Sequence, residues 1–186
     1  MSAKQAMLAD QGLSQLVMID VQEKLAAVMP PDELNHLIQQ AEVLLQAAKL
    51  LEVPVLITEQ YPKGLGNTLP VLKALCDAKP IEKQAFSCVQ VPQFSRQLVG
   101  DRPQIILMGM ETHICVLQTA LDLIARGKQV MVVEDAVISR NPSNKRNALA
   151  RMQAAGCVVT NTESVVFEWL RVAQGDTFKA ISKLIR

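Results

Sequence analysis

The residue best placed for chemistry is Cys115, in the stretch QIILMGMETHICVLQTALDLIAR at 104–126. The stretch reads as a buried strand, a glycine-bearing turn and a helix that opens almost on the cysteine. The first turn of a helix has N–H groups without intrahelical acceptors and carries the positive end of the macrodipole. Both favour a thiolate, the nucleophilic form of cysteine. By helical phase, Cys115, Gln118, Thr119, Asp122 and Arg126 share a mainly polar stripe, apart from an apolar stripe of Ile114, Leu117, Leu121 and Ile124. Position alone leaves two readings for Cys115, a nucleophile or a small, partly buried residue.

Two more side chains could serve such a nucleophile. Asp20 follows the apolar run LVMI at 16–19. A strand-end aspartate caps a turn, or it acts as a partly desolvated base for the thiol proton. Lys83 is either a solvated surface lysine or a cation that stabilises the thiolate. Cys76, Cys88 and Cys157 form no CxxC pair with Cys115 or with one another, and His36 and His113 are far apart, so no zinc-finger spacing exists. His36 falls on the polar side of its helix and is expected to be solvated. No second cysteine lies close to Cys115 in sequence, which weakens a redox-sensing reading.

The elements that must position these groups alternate. Strands are expected at 16–19, 53–58, 80–87 (strand or extended segment), 105–108, 130–133 and 157–160. Helices are expected from Asp32, a plausible N-cap, to about 48, then at 71–76, 92–99, 112–126, 141–155, 163–170 and 177–185. The helix after Asp32 carries Leu34, Leu37, Ile38, Ala41, Leu44, Leu45 and Ala48 on one face. The loop EQYPKGLGNTLP at 59–70 reads as a lid or rim; Gly64 and Gly66 do not make a dinucleotide cradle. Alternation of this kind gives an α/β fold, a three-layer α/β/α doubly wound sheet of six parallel strands in the order 3-2-1-4-5-6. Ligands bind such sheets where the order reverses, between the first and fourth strands. Asp20 ends the first and Cys115 follows the fourth, so topology brings them to one crevice.

Composition narrows the class. The 186 residues are 49% hydrophobic and only 3% aromatic, which suits a single globular domain over 1–186 with an aliphatic core. A net charge of +1 with scattered basic residues gives no footprint for nucleic acid or anionic membrane. No apolar run approaches a membrane span. Cysteine usage and the absence of a signal peptide make a cytoplasmic setting the simplest expectation. Phe167, Trp169, Phe178 and Leu184 look like exposed apolar residues near the C-terminus, and a homo-oligomer, a dimer or larger, is expected to cover them.

Asp20, Lys83 and Cys115, in that order, resemble the Asp–Lys–Cys triad of the isochorismatase-like cysteine hydrolases. The likeness includes LVMIDVQ around Asp20, IEKQAFS around Lys83 and GMETHICVLQTALDLIARGKQVMVVEDA around Cys115, and it runs from about 16 to 170. LLEVPVLITEQYP, KQAFS and ALARMQAAG resemble the isochorismatase domain-containing subgroup. The resemblance implies that Cys115 attacks an amide or related carbonyl of a small molecule, with Asp20 as base, Lys83 as electrostatic support and a thioester as intermediate. It also implies a non-proline cis peptide at Met110–Glu111, with the backbone N–H groups of Glu111 and Cys115 as oxyanion donors. Glu59, Gln60, Tyr61, Phe86 and Ile114 are candidates for the substrate pocket; solvation or core packing would account for them equally well. Thr112 is expected to cap the nucleophile helix. Nicotinamidases of the family hold a metal through a DxH-type motif after the second strand. TEQYPKGLG contains no His, so no metal and no other cofactor is expected, and nicotinamidase activity is disfavoured. The alternative from another class is a catalytically idle, oligomeric binding or scaffold protein of the same family.

Overall fold

The computed structural model describes residues 7–185; residues 1–6 of the polar lead-in and Arg186 lie outside it. Six strands form one sheet: β1 (Ser14–Ile19), β2 (Val55–Gln60), β3 (Ile81–Lys83), β4 (Gln104–Met110), β5 (Gln129–Ile138) and β6 (Val158–Thr160). All pair in parallel, in the order β3-β2-β1-β4-β5-β6. The doubly wound order read from the alternation is therefore the one adopted. The helices are α1 (Glu23–Ala26), α2 (Pro31–Leu50), α3 (Pro62–Leu65), α4 (Pro70–Lys73), α5 (Pro92–Gln97), α6 (Leu117–Ala125), α7 (Pro142–Ala155), α8 (Thr162–Leu170) and α9 (Gly175–Ser182).

Period-2 side-chain alternation sorts the strands onto two faces. Leu16, Met18, Ile106, Met108 and Met131 face α2, α8 and α9, where Leu37, Leu44, Leu45, Val165 and Trp169 are buried. Val17, Ile19, Ile105, Leu107 and Val132 face the other layer, with Phe94, Leu117, Ala120, Leu123, Ala148 and Met152. Both faces being covered explains the continuous apolar runs of β1 and β4.

Several local expectations need correction. β5 runs on to Ile138 rather than stopping at Val133, because its pairing with β4 shifts register between Leu107 and Gly109 and then resumes at Gly109–Val137 and Met110–Ile138. α2 starts at Pro31 behind Pro30, so Asp32 lies in its first turn and is not the cap. Trp169 is buried, 3% exposed, because its Nε1–H donates to Ser14 Oγ at 3.0 Å beneath the sheet. It belongs to the core, whereas Phe167 is at the surface and tilts against Phe178 with ring centroids 6.3 Å apart. His36 is exposed on α2 as helical phase requires.

Gly109 has a specific structural task. Its φ is +124°, and a Cβ there would collide with the carbonyl of Ile19. Only glycine lets the end of β4 lie this close to the end of β1. That close approach sets the spacing between the turns carrying Asp20 and Cys115.

Candidate active site

Each candidate group sits just beyond, or at, the carboxyl end of its strand. Asp20 follows β1 with φ +53°, a left-handed conformation that aspartate tolerates better than most residues. Its backbone N–H donates to Thr58 O at 3.1 Å. Its Oδ1 accepts from Thr58 Oγ1 at 2.7 Å, so β2 orients the carboxylate. Lys83 ends β3, and its Nζ lies 2.7 Å from Asp20 Oδ2 with both side chains fully buried. That contact is a close ion pair but not a well-directed hydrogen bond, and it leaves Oδ2 able to accept another donor. Cys115 is close enough for the charge of Asp20 to act on its thiol.

Lys83 has no proton to spare. Besides Asp20, its Nζ donates to Gln60 Oε1 at 2.6 Å, Phe86 O at 3.0 Å and Ala85 O at 3.2 Å. Three ammonium protons facing four acceptors are saturated. Burial lowers the Lys83 pKa, but the charge of Asp20, helped by the nearby thiols, outweighs burial and holds it above the ordinary lysine value.

Cys115 does not open an α-helix. It lies in a π-helical turn, Thr112–Val116, that precedes α6. Thr112 does not cap that turn, and its Oγ1 is buried without a hydrogen-bond partner among the described residues. The Met110–Glu111 peptide leading into the turn is cis. Cys115 is 6% exposed. Burial first, then the negative charge of Asp20, push its thiol well above the ordinary cysteine range; Lys83 pulls the other way and is outweighed. This corrects the expectation of a standing thiolate. Desolvation and a neighbouring carboxylate outweigh the lysine here.

Part of the polar stripe that runs from Cys115 along α6 is packed against the segment after Lys83, while Gln118 and Arg126 stay exposed. Thr119 Oγ1 accepts from Cys88 N at 3.0 Å, Asp122 Oδ2 accepts from Ser87 Oγ at 2.7 Å, and Arg126 Nη2 donates to Val89 O at 3.2 Å. These contacts clamp the segment after Lys83 onto the helix that follows Cys115. A second thiol lies in the same neighbourhood: Cys88 is fully buried, its Sγ 3.7 Å from Thr58 Oγ1, and burial followed by Asp20 pushes it up to about 11.

The pocket candidates divide. Gln60 is held by Lys83, by Gln84 O through its Nε2 at 2.6 Å, and by Gln22 through its backbone. Glu59 is buried and its Oε1 accepts from both N and Oγ1 of Thr68 at 2.7 Å. Both therefore brace the rim loop. Tyr61 and Phe86 are exposed beside the site, and Ile114 is half-buried next to Cys115. A cavity of about 520 Å³ lies against Tyr61, Lys83–Ala85 and Gln90–Pro92, on the outer side of β3. Among the described residues no group of three or more His, Cys, Asp or Glu side chains is placed to hold a metal ion.

Sequence reasoning missed Gln22, Thr58 and Arg140. Gln22 is fully buried and bonds Gln60 N, Gln60 O and Gly66 O at 2.7, 3.0 and 2.7 Å. Arg140 holds the buried carboxylate of Glu111. Gln22 and Thr58 stand within the stretches already singled out, two residues from Asp20 and one from Glu59. Nothing in the sequence pairs Arg140 with Glu111.

Residues 14–164 match the model of the isochorismatase domain family. A protein of Bos taurus, isochorismatase domain-containing protein 2, is 40% identical over 178 residues, covering 94% of this chain and 84% of that one. The solved structure of the MAR1 ribonuclease from Caenorhabditis elegans superposes with a TM-score of 0.90 at 35% identity, covering 96% of this chain and 92% of its own. The YcaC product of Escherichia coli, described as an octameric hydrolase of unknown specificity, gives a TM-score of 0.90 at 25% identity, covering 98% and 91%.

Proposed function

This chain belongs to the isochorismatase family, and from that premise we propose that it is a metal-independent cysteine hydrolase of a small amide or related C–N bond. The observation that carries the proposal is the buried pair of Asp20 with Lys83 at 2.7 Å, close enough to Cys115 for both charges to act on its thiol, at one end of one sheet. In this mechanism the resting Cys115 is a neutral thiol beside a carboxylate. As its sulfur attacks the substrate carbonyl, the proton passes to Asp20, which acts as a general base. Lys83, saturated by Asp20, Gln60 and two carbonyls, makes no contact with substrate. It offsets the charge of Asp20 and of the sulfur in its transition state. The oxyanion is met by backbone N–H groups of Glu111 and Cys115; that of Glu111 has no acceptor among the described residues. The leaving nitrogen takes the proton back from Asp20 as the C–N bond breaks, leaving a thioester. Water, activated by the same carboxylate, releases the acid. Tyr61, Phe86 and Ile114 then line the approach, while Glu59 and Gln60 hold the rim.

The chain is proposed to act as one domain and as a homo-oligomer, as the octameric neighbour does, with Phe167 and Val172 among the exposed apolar residues to cover. The name of the C. elegans neighbour raises a second reading, RNA cleavage. Both are tested at once by incubating the protein with a library of small amides and with a structured RNA, and trapping the acyl-enzyme by mass spectrometry. A thioester on the Cys115 peptide, lost in Cys115→Ala, supports the hydrolase. RNA cleavage that survives Cys115→Ala, or silence across the library, would sink it, silence favouring a scaffold. No described helix is long and apolar enough to cross a membrane.

A further inference from the structure

Glu111 carries an oxyanion donor in the mechanism above, yet its side chain is a buried carboxylate. A negative charge on that residue opposes the negative charge that develops on the substrate oxygen. The same carboxylate is held entirely by one residue of the next loop. Arg140 donates its backbone N–H to Oε2 at 3.0 Å and its Nε to Oε1 and Oε2 at 3.1 and 3.2 Å, and its Nη2 lies 3.1 Å from Oε1 as an ion pair. The Glu111 side chain is 5% exposed and that of Arg140 58% exposed, so the pair closes a buried anion from the solvent side. A neighbouring tether joins the same two segments, His113 Nδ1 to Ser139 Oγ at 2.9 Å.

The Glu111 backbone is fixed as thoroughly. Its carbonyl accepts from Ile114 N at 3.1 Å and Val116 N at 3.3 Å, and Met110 before it pairs in register with Ile138. Strand register, the capped carbonyl and the forked carboxylate are three supports around one N–H that has no acceptor of its own among the described residues.

We propose that Arg140 is a positioning residue of the oxyanion site, holding the Glu111 N–H in line and neutralising the Glu111 carboxylate beside it. The proposal rests on the triad reading above. It predicts that Arg140 matters to reactions that build an oxyanion and not to other reactions of the same sulfur.

The test compares two reactions at Cys115. In acylation by p-nitrophenyl acetate the sulfur attacks the carbonyl carbon, the S–C bond forms, the thiol proton passes to Asp20 and p-nitrophenolate leaves through an oxyanion intermediate. In alkylation by iodoacetamide the sulfur displaces iodide at a saturated carbon, with no oxyanion. Arg140→Ala is expected to slow acylation by on the order of 100-fold, the scale of one oxyanion donor, with alkylation within about twofold. Arg140→Lys keeps the charge and the backbone donor but not the fork; its selective loss is expected to be about tenfold, and it carries the test should Arg140→Ala not fold. Equal losses in both reactions, or a selective loss below about threefold, would overturn the proposal alone. A wild-type burst of p-nitrophenolate that persists in Cys115→Ala would instead overturn the triad reading and this proposal with it.

Discussion

Replacing Asp20 with Asn separates two roles of the carboxylate that act in opposite directions on Cys115. In the proposed mechanism Asp20 is the base for attack on a carbonyl, and its loss is expected to slow acyl transfer by about 100- to 10,000-fold. As a fixed charge, it keeps the thiol protonated, since burial and Asp20 together outweigh Lys83. A unit charge about 4 Å from a thiolate in an effective dielectric near 20 is worth roughly 4 kcal/mol, a factor of about 1000 in the thiol equilibrium. Removing it raises the thiolate fraction about 1000-fold below the new pKa. A thiolate of lower pKa is a weaker nucleophile, which takes back roughly 30-fold and leaves a net gain of about 30-fold. Asp20→Asn should therefore be alkylated by iodoacetamide at pH 8 about 30 times faster than the wild type while losing hydrolysis. The assay is mass-spectrometric tracking of the Cys115 peptide, with the half-buried Cys76 as internal reference. The variant is also expected to melt lower, because Lys83 loses the ionic partner of a buried pair. Alkylation that stays level or slows in folded Asp20→Asn would show that Asp20 does not hold the thiol proton, and the resting-thiol mechanism would have to be abandoned.

Other outcomes follow from the packing. Gly109→Ala places a methyl against the Ile19 carbonyl at a φ of +124° and should cost on the order of 3 kcal/mol or more; denaturant unfolding that shows less than about 1 kcal/mol would contradict the close approach. Trp169→Phe removes the 3.0 Å bond to Ser14 and should cost about 1–2 kcal/mol, read from the same curves; no change would mean the indole is not tied to β1. Cys88 and Cys157 are each raised from 9.0 to about 11 by burial, so the folded chain keeps protons that the unfolded chain sheds. Their contribution is complete below pH 9 and is lost as pH rises from about 9 towards 11, by about 1.4 kcal/mol per thiol at pH 10. Cys88→Val should flatten that alkaline decline in a urea series at pH 8 to 10.5; an unchanged slope would assign it elsewhere.

The alternation of apolar runs with amphipathic segments determined the sheet order, because right-handed crossovers and two covered faces leave few ways to wind such a chain. The same sequence placed Asp20 and Cys115 at one switch point, through topology alone. The family likeness supplied Lys83, which periodicity treats as any lysine at the end of a three-residue strand. What no local pattern could give was the environment of those groups. A helix-start cysteine looks activated when its surroundings are taken as water. In the fold, Ser87–Val89 is tied to Thr119, Asp122 and Arg126 of this helix, and the thiol is buried within reach of the charge of Asp20. Trp169 looked like surface for the same reason, until Ser14, 155 positions away, gave its N–H a buried acceptor. Arg140 and Glu111 are 29 positions apart and meet only because β5 runs on beside β4 to Ile138. Sequence determined which residues could react and on which edge of the sheet they stand. Tertiary structure decided their protonation and their partners, because desolvation and charge pairing depend on contacts between segments that sequence spacing does not encode.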